Sequence, residues 1–167
     1  MNFISDDSEI FQSNIKPLDA DKAVGEMPSL KEPKIIGDFV FWLEQRPLEA
    51  GRTTAFLRPW MRSDCKPQEL TPAPINLRTR VHGYGGSPFS IFYSENIIFI
   101  SWIDDKDGCL WIQSWLIKNN KVFEDGNYIE KINSSLRLSN QGNYCLADGI
   151  IDISRSRWIG IMEKNNQ

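Results

Sequence analysis

The only histidine in the 167-residue chain, His82, lies in the segment RTRVHGYGGSPF, residues 78–89. Gly83, Tyr84, Gly85, Gly86 and Ser87 follow it directly. An imidazole, two hydroxyls and a run of glycine N–H groups are the parts of an acyl-transfer site. Turns of the His-Gly-Gly type can donate N–H groups to a tetrahedral oxyanion. A nucleophile elbow at Ser87 would need Gly-x-Ser-x-Gly, and the sequence puts Phe89 where the last glycine belongs. Pro88 also spoils the start of the helix that such an elbow feeds. A Ser-His pair is open on residue type alone, but five residues on a bending chain do not bring His82 and Ser87 together. The remaining reading is structural: the glycines let the backbone bend into a strand. This last reading is the expectation, and no residue is assigned to catalysis.

Other candidate chemistry is thinner. Glu44, Arg46, Glu49 and Arg52 in LEQRPLEAGR have the spacing of an ion-pair loop around a hairpin turn, and one of the arginines could reach a peptide carboxylate. Asp104, Asp105 and Asp107 in DDKDG hint at a calcium loop, but the bidentate glutamate that should follow is missing. Asp148-Gly149 and Asp152 read as turn residues. One histidine and the scattered Cys65, Cys109 and Cys145 give no zinc spacing. No phosphate loop or dinucleotide fingerprint occurs. No metal or cofactor is expected.

The net charge of −3 argues against a dedicated nucleic-acid binder. The acidic N-terminus MNFISDDSEIF lacks the apolar centre of a signal peptide, and no apolar run is long enough to span a membrane. With three widely spaced cysteines, the expectation is free thiols in the cytoplasm.

The elements that must position the His82 segment are strands. Residues 1–34 read as an irregular arm, with a helical turn near Asp19–Val24. From residue 35 the chain is rich in β-branched and aromatic residues. FVFWLEQ and RTTAFLRPW flank the turn RPLEAG, with Gly37-Asp38 as a turn before them. Residues 61–79 read as a proline-rich connector. SPFSIFY, IIFISWI and CLWIQSWLI follow as strands, with turns at Glu95-Asn96 and within DDKDG. Further turns are expected at Asn119-Asn120 and Asp125-Gly126, and GIIDIS and RWIGIME form a last hairpin around Arg155-Ser156. No stretch holds helical periodicity over three turns.

A repeat runs through these strands. Trp42, Trp102 and Trp158 each mark the start of a unit, 60 and 56 residues apart. That spacing suits β-propeller blades, which run roughly 40–50 residues plus insertions. The expected fold is all-β: a partial propeller of about two antiparallel blades over residues 35–167, with an open edge.

Three motifs now carry a family resemblance, in order and at matching spacing: FWLEQRPLEAGRTTAFLR, ELTPAPINLRTRVHGYGG and LADGIIDISRSRWIGIMEK. Together they resemble the N-terminal propeller of prolyl oligopeptidase-family serine peptidases, of the acylaminoacyl-peptidase or dipeptidyl-peptidase kind, over about residues 28–164. The resemblance implies a propeller that gates peptide access to a Ser-Asp-His site on an α/β-hydrolase domain. That domain would lie beyond Gln167 and is absent here. It also implies that Arg80, His82, Tyr84, Gly85 and Gly86 form a structural or substrate-facing motif. Partners would be a separately encoded hydrolase half or a peptide. Gly83 stands where the family pattern has glutamate, so that carboxylate's role is not filled here, which fits a gene remnant. The rival class is a free-standing module that docks a partner through its open sheet edge. An open propeller should leave some of Phe41, Trp42, Phe92, Phe99, Trp102, Trp111, Trp115 and Trp158 uncovered and be marginally stable.

Overall fold

The computed structural model describes residues 25–62, 64–118 and 128–164. The helical turn expected near Asp19–Val24 and the turns at Asn119-Asn120 and Asp125-Gly126 lie outside them. Apart from single 3-10 turns, the regular elements among the described residues are all strands, in three antiparallel sheets.

The first sheet is a complete four-stranded meander, β1 (Ser29–Ile36), β2 (Phe39–Arg46), β3 (Arg52–Pro59) and β4 (Gln68–Glu69), in that spatial order. The second follows the same plan: β5 (Phe89–Ser94), β6 (Ile97–Ile103), β7 (Leu110–Ile117) and β8 (Ile129–Lys131), with β9 (Leu136–Arg137) also on β7. The third is a single hairpin, β10 (Tyr144–Asp152) and β11 (Arg157–Lys164). This is an all-β, propeller-like array of two blades and half a third, and none of its sheets is closed.

Two boundaries differ from the sequence reading. Residues 29–34, read as arm, belong to β1, which pairs with β2 from Ser29↔Gln45 to Ile36↔Phe39. A bulge between Lys31 and Lys34 breaks the alternation, and the strand is mostly exposed, so it carries no apolar signal. The connector 61–79 contributes β4, which pairs Phe56 with Glu69 and Leu57 with Gln68. The tryptophans lie on β2, β6 and β11, the second strand of each sheet rather than the first. They also differ in register. Trp42 opposes Phe56, four pairs from the hairpin end at Arg46↔Arg52, whereas Trp102 opposes Trp111, one pair from Ile103↔Leu110.

Alternation builds the main core between the first two blades. Phe39, Phe41 and Leu43 of β2 and Ala55 and Leu57 of β3 face Phe89, Ile98, Ile100 and Trp102 of the second blade, all buried. Of the eight aromatics among which uncovered side chains are expected, Phe41 and Trp102 are buried because each has a neighbouring blade, and Trp42, Phe92, Phe99, Trp111, Trp115 and Trp158 are half-buried. The uncovered apolar surface lies elsewhere. The last hairpin packs Leu146 and Trp158 on Ile103 and Leu110, while Ile150, Ile159 and Ile161 are 42–60% exposed. Ile150 opposes Ile159 and Ala147 opposes Ile161 across the hairpin, so these isoleucines share the face turned away from Trp158.

Trp158 fixes the hairpin. Its indole N–H donates to Ser101 Oγ (3.1 Å), which is also 2.7 Å from Ser90 Oγ. The ring stands over Gly149 and Gly160, where an added Cβ would come within 2.1 Å of it. No helix among the described residues is long and apolar enough to cross a membrane.

Candidate functional site

The segment 78–88 runs between all three sheets before entering β5. Arg78 N–H donates to Ile103 O (3.1 Å), and Thr79 Oγ1 donates to Leu146 O (2.5 Å), tying it to the second blade and to the last hairpin. A 3-10 turn over Val81–Gly83 follows, with Val81 buried and His82 left-handed at φ 54°.

The glycines answer distinct demands. Gly85 has φ 87°, and a Cβ there would lie 2.9 Å from Thr79 O. A Cβ on Gly86 would lie 2.5 Å from Asp148 Oδ2. Gly83 is also left-handed, at φ 77°, yet has open space around it. A side chain in its place would meet conformational strain and no steric obstacle.

Three carboxylates from distant strands grip the loop. Glu32 sits at the β1 bulge with φ 50°, and Ser87 Oγ donates to its Oε2 (2.5 Å). Asp148 sits at the β10 bulge with φ 53°; its Oδ1 accepts from Ser87 N–H (2.8 Å) and its own N–H donates to Ser87 O (3.0 Å). Glu163 of β11 accepts from His82 N–H through Oε2 (2.5 Å), and its Oε1 is 3.1 Å from His82 Nδ1. Two bulges thus turn carboxylates from the first and third sheets onto one loop of the second. Asp148-Gly149, read as a turn, lies instead within β10 at this bulge.

In this geometry the polar groups of the loop are engaged by other partners. The N–H groups of His82 and Ser87 are bound to carboxylates, and those of Gly83, Tyr84 and Gly85 to Arg80 O, Val81 O and Val81 O. An oxyanion would find each of these donors taken. Ser87 Oγ is bound by Glu32, with Phe89 O also near at 3.0 Å, and the imidazole by Glu163, so serine and histidine do not pair. Arg80 reaches Asp105 Oδ1 (2.9 Å). The Tyr84 ring lies 6.2 Å from the His82 ring, and the residue is 89% exposed.

The other acidic and basic candidates resolve into structure. Arg52 is nearly buried; its guanidinium meets Glu49 Oε2 (2.5 Å), Glu69 Oε1 (2.7 Å), Thr71 O (3.1 Å) and Ile75 O (3.1 Å). Burial alone would lower its pKa, but Glu69 and Glu49 outweigh that and leave it raised. Hydrogen bonds from Arg52 and then Arg46 hold the Glu49 carboxyl below its ordinary value. The network fastens the hairpin turn to β4 and to the 71–75 segment. In the DDKDG turn Asp104 Oδ1 accepts from Lys106 N–H (3.1 Å) and Asp107 Oδ1 from Cys109 N–H (2.9 Å). Burial raises the Asp104 pKa. Among the described residues no group of three or more His, Cys, Asp or Glu side chains could hold a metal ion.

Two clefts flank the segment. One, about 320 Å³, lies against the first blade and is lined by Lys31, Gln45, Arg78 and Tyr84 among others. The other, about 280 Å³, lies toward the last hairpin and is lined by Arg78, Arg80, Lys106 and Cys145 among others.

No protein-family model matches the chain, and no curated protein does. Among solved structures the chain is similar in fold to a Mycobacterium tuberculosis puromycin-hydrolyzing peptidase, with TM-score 0.67 and 22% identity over 89% of this chain. A puromycin hydrolase matches with TM-score 0.62 and 22% identity over 86% of this chain. The chain spans about a fifth of each, 21% and 20%.

Proposed function

We propose that the chain is the non-catalytic propeller portion of a prolyl oligopeptidase-type serine hydrolase, which gates the approach of peptides to a Ser-Asp-His site carried elsewhere. One observation carries the reading: two complete blades and half a third surround a histidine-glycine loop whose N–H groups and hydroxyl are bound internally. The fold likeness to puromycin-hydrolysing peptidases, each about four times the length of this chain, supports it at the level of architecture. The partner is a hydrolase half, in the same or a separate polypeptide, together with further blades that cover Ile150, Ile159 and Ile161.

A second reading draws on the same hairpin. Among the described strands β11 pairs only with β10, and its open edge could accept a strand from an unrelated protein. The purified chain is expected to turn over no peptidyl chromogenic substrate. Turnover blocked by a serine-directed phosphonate would overturn the proposal. Further blades and a Gly-x-Ser-x-Gly elbow encoded next to this sequence, whose product shows phosphonate-sensitive hydrolysis together with this chain, are the positive result. One stoichiometric partner without hydrolase character would favour the second reading.

A further inference from the structure

We propose that the cleft between the first blade and the 78–88 segment holds the free carboxylate of a peptide, with Arg78 as the group that binds it. This rests on the peptide-gating reading and adds a substrate class: peptides with a free carboxylate at the end that enters this cleft.

The cleft's charge is unbalanced. Arg78 is exposed, and among the described residues its guanidinium has no hydrogen-bond or ion-pair partner. The arginines around it differ: Arg46 and Arg52 are bound by glutamates and Arg80 by Asp105. Lys31, the second cation of the cleft, donates to the neutral Gln45 Oε1 (2.6 Å). The one carboxylate lining the cleft, Glu32, is engaged by Ser87 Oγ and lies 3.7 Å from Lys34 Nζ. Arg78 and Lys31 thus both line a space of about 320 Å³ whose one carboxylate is engaged. Arg78 also borders the second cleft, where Asp105 is paired with Arg80 and Asp107 accepts from the Trp111 indole N–H.

The shape of the missing group follows from the cation. A guanidinium presents paired N–H donors that match the two oxygens of a carboxylate. Tyr84, 89% exposed between Gly83 and Gly85, stands on the rim of the same cleft. Tyrosine and arginine are both enriched among the residues that carry most of the binding energy at interfaces. The ring offers an apolar surface to the residue next to the carboxylate, and Gln45 offers an amide to the peptide backbone.

The test is calorimetric titration of the purified full chain, at low ionic strength, with N-acetyl-Ala-Ala-Phe as free acid and as C-terminal amide. The acid is expected to bind about two- to fivefold more tightly, the scale of a solvent-exposed ion pair. R78Q should abolish that difference with the circular-dichroism spectrum unchanged, while R137Q, at an exposed arginine on β9, should keep it. Y84A should weaken acid and amide alike. Equal binding of acid and amide, or an unaltered preference in R78Q, would overturn the carboxylate assignment and leave peptide gating standing. Binding of inorganic phosphate with neither peptide bound would overturn the assignment too. The hydrolase-mixing experiment measures gating without reference to Arg78, so the two failures are distinguishable.

Discussion

Replacing Arg52 by methionine removes one side chain from four acceptors at once. Its guanidinium lies 2.5–3.1 Å from Glu49, Glu69, Thr71 O and Ile75 O, and its side chain is 10% exposed. Glu49 is 39% exposed, so its share is small, on the scale of a solvated ion pair. The loss therefore falls on Glu69, 25% exposed, and on two carbonyls left without this donor. Removing one partner of a buried charge cluster costs about 3–5 kcal/mol. The partial exposure of Glu69 places R52M toward the lower end of that range. Against a domain margin of about 5–15 kcal/mol this is a large fraction. Urea denaturation followed by tryptophan fluorescence and far-ultraviolet circular dichroism measures it. R52K keeps the charge but not the fork, and is expected to lose less, which keeps the series measurable if R52M unfolds in buffer. A loss below about 1 kcal/mol for R52M, the value of an exposed ion pair, would show that the network does not fasten the first blade.

Two further outcomes follow from local geometry. Alanine in place of a strand glycine ordinarily gains about 0.5–1 kcal/mol, but G160A should instead cost about 1–3 kcal/mol in the same assay, because its Cβ meets the Trp158 six-membered ring at 2.1 Å. In a W158F background that ring is gone, and the cost should vanish. Glu49 has a folded-state pKa below its unfolded value, so its contribution is fully present above the ordinary glutamate pKa, about 4.3, and is lost as pH falls through the folded value. E49Q should therefore flatten the fall in denaturation midpoint below about pH 4.3. Asp104, raised by burial, runs the other way and costs stability as pH rises through its folded pKa.

The hairpins were legible because they announce themselves twice, by alternation and by turn residues. Phe39, Phe41 and Leu43 alternate with Val40 and Trp42, and Gly51 and Gly108 close the turns with left-handed φ values. β1 and β4 escaped because neither carries an apolar face of its own. β1 is a bulged, largely exposed strand, and β4 is two polar residues held by pairing with β3. The tryptophan spacing picked out the same strand of each sheet, the second rather than the first, but not a structural equivalence, since Trp42 and Trp102 sit at different distances from their hairpin ends. At the loop, the bend was readable from Gly83, Gly85 and Gly86. The carboxylates that hold it were not, because Glu32, Asp148 and Glu163 come from 55, 61 and 81 residues away. The one local sign was the Asp-Gly pair at 148–149, which has the chemistry of a turn and here makes a bulge.

The central proposal is that the chain is an open portion of a larger propeller, and its stability tests that most directly. Ile150, Ile159, Ile161 and Met162 are 42–60% exposed on one hairpin. Each large apolar side chain left fully uncovered forgoes about 1.5–3 kcal/mol of burial, and these partly exposed ones a fraction of that. Equilibrium denaturation of the purified chain, with its association state followed by sedimentation, is the measurement. The expected result is a marginal monomer below about 5 kcal/mol, or one that associates until a covering partner is supplied. A monomer that unfolds in one cooperative transition above about 5 kcal/mol would contradict the claim and make this a self-sufficient β domain.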